Sequence, residues 1–170
     1  MPISHRLFVP KQAVGANLVY FDMFNNSDKE ITVFHVQPIV SGAVAVVGTL
    51  GVDLFLTYTS AVGTGGTAAT YGGTDTTAMT FCKTNPRMEN VPDTVTARLT
   101  PAGGATAAGV ISWTSVFTEE TSSSAYMGKL TDLLWEGEDA VIIPKGFGIR
   151  VVQGAVASVG NIGFDVCFRI

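Results

Sequence analysis

Charge is what this chain has least of. Only 14% of its 170 residues are Asp, Glu, Lys or Arg, against roughly 25% in an average soluble protein. Gly, Ala, Thr and Ser fill the gap. A freely diffusing monomer keeps itself dispersed with abundant mixed charge, so part of this exterior is expected to be covered by other subunits. Clustered positive charge is missing too. The ten basic residues are scattered singly from Arg6 to Arg169, and the net charge is −4. Phosphate recognition needs grouped Lys and Arg, so nucleic acid is not expected as a partner.

Histidine and cysteine are equally sparse. His5 and His35 are the only histidines, and neither has a His or carboxylate two or four residues on, the spacing of a metal pair. Cys82 and Cys167 stand alone rather than in a C-x-x-C arrangement, which suggests neither zinc nor a redox motif. Buried thiols are the expected state, with a Cys82–Cys167 disulfide as the alternative. Cys167 alternates with large apolar residues, so it should face away from them, into a second layer or a subunit contact. A long uninterrupted apolar run is also absent. Residues 31–52 carry no Asp, Glu, Lys or Arg, but Gln37, Pro38, Ser41, Gly42, Gly48 and Gly51 break them, so they read as strands and no membrane span is expected. Met1–Arg6 lacks the apolar core of a secretory signal, which implies synthesis in a cytoplasm.

What is present reads as β-structure. Ala140–Ile143 and Phe147–Val152 are apolar runs joined by a Pro144-Lys145-Gly146 turn. Beyond them Phe164, Val166, Phe168 and Ile170 alternate with Asp165, Cys167 and Arg169, the period-2 pattern of a half-buried strand. Ile31–Val36 and Val52–Ser60 are β-branched and aromatic, and Asn25–Asp28 is a turn cluster. In Val52–Thr59 both alternating faces are partly apolar, as in a sandwich. Thr94–Thr100 and Val110–Thr118 are further strands, flanking a loop at Pro101–Gly109. In the second of these Ile111, Trp113, Ser115 and Phe117 share a face, and Trp113 is expected to anchor the core, with its truncation costing roughly 3–5 kcal/mol. Residues 61–80 have too little bulk and too much Gly for a regular element and read as a long surface loop. Ser123–Trp135 alone suggests a helix, with Tyr126, Leu130, Leu133 and Leu134 at helical spacing and Ser124 as its cap. Together these predict an all-β fold, a two-sheet antiparallel β-sandwich with one minor helix. A jelly roll is the first choice and an immunoglobulin-like sandwich the second.

Catalytic and cofactor motifs do not emerge. Gly63-Thr64-Gly65-Gly66-Thr67-Ala68 fits a loose dinucleotide fingerprint, but Thr70–Thr77 contains Gly72 and Gly73 and cannot supply the helix whose N-terminus holds the pyrophosphate. No Ser lies in a nucleophile elbow, and a lone His35 on a strand is expected to be structural. Glu119 and Glu120 point to opposite faces of a strand, so they do not form a glycosidase pair. Asp132, Glu136, Glu138 and Asp139 lack the ligand spacing of a calcium loop. No catalytic residue, metal ligand or cofactor is therefore assigned, and the chain is read as a non-enzyme.

The one segment whose ordinary reading is functional lies at residues 1–20, an apolar arm preceding a single sandwich domain at residues 21–170. An arm gains stability only by docking, either on its own domain or on another subunit or protein, where it could add a strand to a sheet edge. Ile3, Arg6, Leu7, Phe8, Val9, Lys11 and Val14 are its candidate partner-binding residues. On this reading, deleting residues 1–14 leaves the fold intact and weakens attachment to the partner.

Leu133 to Val151, with its apolar strand, Pro-x-Gly turn and returning strand, resembles the penultimate hairpin of small jelly-roll virion proteins of tailed bacteriophages. The likeness covers at most the last third of the chain. Gly/Thr/Ala-rich loops, low charge and an apolar arm agree with that family. The resemblance implies a capsid decoration or cement protein, commonly a homotrimer, which binds the outer head surface and bridges major capsid protein subunits. The alternative is a receptor- or carbohydrate-binding sandwich of a tail or fibre, with Tyr71, Tyr126 or Trp135 stacking on ligand.

Overall fold

A computed structural model describes residues 5–41, 50–71, 77–84, 86–118, 132–134, 140–156, 158 and 160–170. Among these there are twelve strands and no helix. The expected helix at Ser123–Trp135 lies outside the described residues, apart from residues 132–134.

Seven long strands form where β-branched, aromatic and other apolar residues recur. These are β1 (His5–Ala13), β2 (Val19–Asn25), β3 (Ile31–Ser41), β4 (Leu50–Thr59), β9 (Thr106–Thr118), β11 (Phe147–Gln153) and β12 (Asn161–Arg169). Short strands complete the set: β5 (Thr67–Ala68), β6 (Thr70–Tyr71), β7 (Thr80–Lys83), β8 (Val95–Leu99) and β10 (Val141–Ile143). The glycine- and threonine-rich stretch expected to be one loop thus contains β5 and β6, each only two residues long. That length fits its lack of bulky side chains.

The first sheet runs β10-β3-β12-β1-β7-β6 and the second β5-β8-β2-β11-β4-β9. Pairing is antiparallel except between β6 and β7. The long-range ladders nest: β1 pairs with β12, β2 with β11, β3 with β10 and β4 with β9. Residues between β4 and β9 supply β5 to β8, which extend both sheets on one side. The opposite side is closed by β9 and β10.

The two sheets face each other across one continuous apolar core. Leu7, Val33, Val36, Ile162, Phe164, Val166 and Phe168 come from the first sheet, and Phe21, Met23, Leu54, Leu56, Ile149 and Val151 from the second, all without measurable exposure. Phe164 of β12 is its centre, edge-on to Tyr20 with ring centroids 5.2 Å apart and tilted against Phe21 at 5.6 Å. This interdigitation of inward-facing side chains is what makes two half-buried sheets stable together. The expected turn before β11 is present, and Gly146 adopts φ +84°, a conformation that costs a side-chain-bearing residue much more than glycine. Asn25 and Ser27 close the β2–β3 connection with a buried polar knot. Asn25 Nδ2 donates to the carbonyls of Lys29 and Ile143 at 2.8 and 2.9 Å, and Ser27 donates to Asn25 Oδ1.

Two expectations need correction. Residues 5–13 are not an arm outside the domain. They form an interior strand, with β12 on one side along most of its length and β7 on the other at His5–Phe8, because Leu7 and Val9 alternate inward and are 0% and 1% exposed. Trp113 is not a core anchor: it is 62% exposed. Register decides its face. β4 directs Val52, Leu54 and Leu56 inward, and their partners on β9 are Val116, Thr114 and Ser112, while Trp113 lies opposite the outward-facing Phe55. The inner face of β9 thus carries only small side chains, Ser112, Thr114 and Val116, enough at the margin of the sandwich, and Trp113 is left outside.

Candidate interaction surface

The residues expected to bind a partner are divided by the pleat of β1. Leu7 and Val9 belong to the core. Arg6 is exposed and pairs with Asp165 of β12 at 3.0 Å. Phe8 and Val14 are half-buried and Lys11 is exposed, with the Val14 N–H held by the Gly160 carbonyl at 3.0 Å. Ile3 lies outside the described residues. Leu7 and Val9 are thus committed to the core, while Arg6, Phe8, Lys11 and Val14 keep part of their surface outside.

On the outer face of the first sheet a polar row crosses four strands. Cys82 and Cys167 stand opposite Arg6 on its two sides, and His35 stands opposite Cys167. Cysteines two strands apart are about 9–10 Å from each other, beyond the roughly 7 Å reach of a disulfide, and neither is bridged. Burial, and then the Asp165 carboxylate, push the Cys82 thiol above its ordinary pKa, with Arg6 opposing. A thiol so held is a poor nucleophile at neutral pH. Cys167 faces outward as the alternation required, and is only 7% exposed. His35 Nε2 lies 3.0 Å from Asp132 Oδ2. The adjoining Leu133 and Leu134 exchange backbone hydrogen bonds with Val36, so this pair pins a crossing segment onto β3. That partner was invisible in sequence, where Asp132 grouped with Glu136, Glu138 and Asp139, which lie outside the described residues, as do Glu119 and Glu120. Among the described residues no three His, Cys, Asp or Glu side chains gather as a metal site would require, and no helix is long and apolar enough to cross a membrane.

The large apolar side chains left exposed lie elsewhere, on β9, on β10, at the start of β11 and at Val156. Val110 and Trp113 of β9, Ile142 of β10 and Phe147 at the start of β11 are 55%, 62%, 50% and 40% exposed. Trp113 stacks on Phe55 with ring centroids 6.5 Å apart and planes 23° from parallel. Val152 of β11 lies opposite Phe55, and Val19 of β2 opposite Val152, so an apolar row runs from the β9 edge across the outer face of the second sheet. Asp53 and Ser115, hydrogen-bonded to one another, flank the stack. Tyr58 of β4 reaches the Ile142 carbonyl at 3.5 Å, which brings the β10 edge alongside the second sheet.

No family model, curated protein or solved structure matches the chain.

The surface itself therefore carries the functional argument. Isolated apolar residues are ordinary on a protein exterior, but the row Trp113, Phe55, Val152 and Val19, which starts at β9, the outermost strand of its sheet among the described residues, is the kind of surface that a second chain can cover. The one local signal was Phe55, which alternates against Val52, Leu54 and Leu56 on the face of Asp53 and Thr57, whereas the side taken by Trp113 was set only by pairing with β4. Of the aromatics expected to stack on a ligand, Tyr71 instead packs on Phe81 and donates to the Val95 carbonyl. Tyr126 and Trp135 lie outside the described residues.

Proposed function

We propose that this chain is a structural virion protein, a jelly-roll subunit that assembles as a homotrimer and decorates the outer head surface of a tailed bacteriophage. There it would stabilise the shell by bridging major capsid protein subunits. The observation that carries the reading is the outer apolar side of the second sheet, where exposed Trp113 at the β9 edge stacks on Phe55 and continues into Val152 and Val19. On a chain so poor in charge, that side gains most by leaving water against a second copy. The nested pairing of β1–β4 with β9–β12 supports the jelly-roll reading, the architecture that the resemblance in the last third of the chain implies. Binding that exists only on the assembled shell stabilises it by mass action, and contacts of about 1,200–2,000 Å² are enough for a specific complex. No cofactor, metal or catalytic group enters this mechanism. The site of action is the virion, after synthesis in the host cytoplasm.

Co-sedimentation with assembled heads tests the proposal. Saturable pelleting with heads, but not with unassembled capsid protein, is the expected result. A protein that stays in the supernatant while binding immobilised glycans would favour the second reading, a receptor- or carbohydrate-binding module of a tail or fibre. The exposed Phe55–Trp113 stack flanked by Asp53 is the feature that suits a sugar ring.

A further inference from the structure

Asp22 is a charged residue buried in the middle of a sheet. It is 1% exposed and lies opposite Arg98 of β8 on one side and Arg150 of β11 on the other. Residues 61–66 and 101–105 roof it over, held to each other where Thr64 N–H donates to the Gly103 carbonyl at 3.2 Å and Ala102 N–H to the Thr64 carbonyl at 2.7 Å. The roof sits this close because residue 63 is glycine. A Cβ there would lie 1.8 Å from Asp22 Oδ2. The sequence element that imitated a dinucleotide fingerprint is thus the cover of a buried carboxylate, and it leads into β5 rather than a helix.

The hydrogen bonds around this carboxylate are oddly placed. Arg98 donates to the Gly65 carbonyl at 3.1 Å, and Arg150 donates to the Gly104 carbonyl at 3.0 Å and to Thr57 Oγ1 at 3.2 Å. Both arginines therefore hold the roof, while neither Asp22 oxygen has a hydrogen bond of good geometry. A buried carboxylate in that condition is costly in its ionised form. Burial pushes the Asp22 carboxyl up to about 6, against the opposing influence of the Gly63 and Arg98 N–H groups and the Arg98 and Arg150 charges.

We propose that Asp22 is a proton-operated latch on the roof formed by residues 61–66 and 101–105. Protonated, its neutral carboxyl leaves Arg98 and Arg150 on the Gly65 and Gly104 carbonyls, and the roof is shut. Ionised, it draws a guanidinium or water toward itself and the roof loosens. Arg98 from β8 and Arg150 from β11 are the charged groups facing it, and the two roof segments contribute none. The sign follows from linkage. A carboxyl that titrates near 6 when closed and 3.8 when solvated favours the closed state fully at low pH and loses that advantage as pH rises toward 6. Between pH 5 and 7.5 the two values imply about a tenfold change in the opening equilibrium.

Amide hydrogen exchange, corrected for intrinsic rates, reads that equilibrium directly. Protection at Thr64 and Ala102 is expected to fall about tenfold from pH 5 to pH 7.5 relative to core amides such as Val151. In Asp22→Asn it is expected to stay at the low-pH level throughout. Roof protection in the natural chain that does not change with pH, or a pH response that survives Asp22→Asn, would overturn the latch. Should the variant not fold, carboxyl and amide NMR titration of the natural protein decides. Thr64 and Gly103 amide shifts must follow the Asp22 carboxyl with one midpoint, and shifts that do not follow it contradict the proposal.

Discussion

Removing His5–Ala13 is expected to abolish cooperative folding. The segment is an interior strand whose loss would open the edges of β12 and β7 together. It would also strip Leu7 and Val9 from the core, where they are 0% and 1% exposed. Leu7→Ala alone is expected to cost roughly 2–5 kcal/mol, a large share of the roughly 5–15 kcal/mol that keeps a domain folded. Two newly exposed edges also invite aggregation. Far-UV circular dichroism with a urea titration checks this. A deletion variant that still unfolds in a single sigmoidal step would show that β1 is dispensable, as an arm would be.

Truncating two large aromatics should have unequal consequences. Phe164→Ala is expected to destabilise by roughly 3–5 kcal/mol, since that ring has no exposure and joins the sheets through Tyr20 and Phe21. Trp113→Ala should cost no more than about 1.5 kcal/mol, the worth of an aromatic pair beyond its buried area, because its only ring partner among the described residues is Phe55. Urea midpoints of the two variants measured side by side test the assignment of faces. Equal losses would mean that β9 is in the wrong register.

Much of the fold was legible because period-2 alternation is a local signal. β12 carries Phe164, Val166 and Phe168 inward and Asp165, Cys167 and Arg169 outward, as the sequence requires, and β10 and β11 follow with their turn. The expectations that failed depend on non-local facts. The face of β9 is set by pairing with Val52, Leu54 and Leu56, whereas the sequence offers Ile111 and Trp113 on one parity against Val116 on the other. The length of β3 and the interior place of β1 both follow from β12, which pairs with each. Proline at residues 2 and 10 hid the alternation of β1. Asp132 reaches His35 across 97 residues, and Asp22 meets its roof through Gly63 and Gly104, so neither contact leaves a local pattern. As to function, the sequence offered residues 3–14 as the partner-binding segment, whereas the large apolar side chains left exposed are Val110, Trp113, Ile142, Phe147 and Val156.

Solution mass by light scattering, for the natural chain and Trp113→Asp together, tests most directly whether the outer apolar side of the second sheet is an assembly surface. The account predicts three times the 17.8 kDa chain mass for the natural protein and a single chain for the variant, with the variant's circular dichroism unchanged. A natural protein that stays at one chain mass at every concentration, or a trimer indifferent to a charge at position 113, would contradict it.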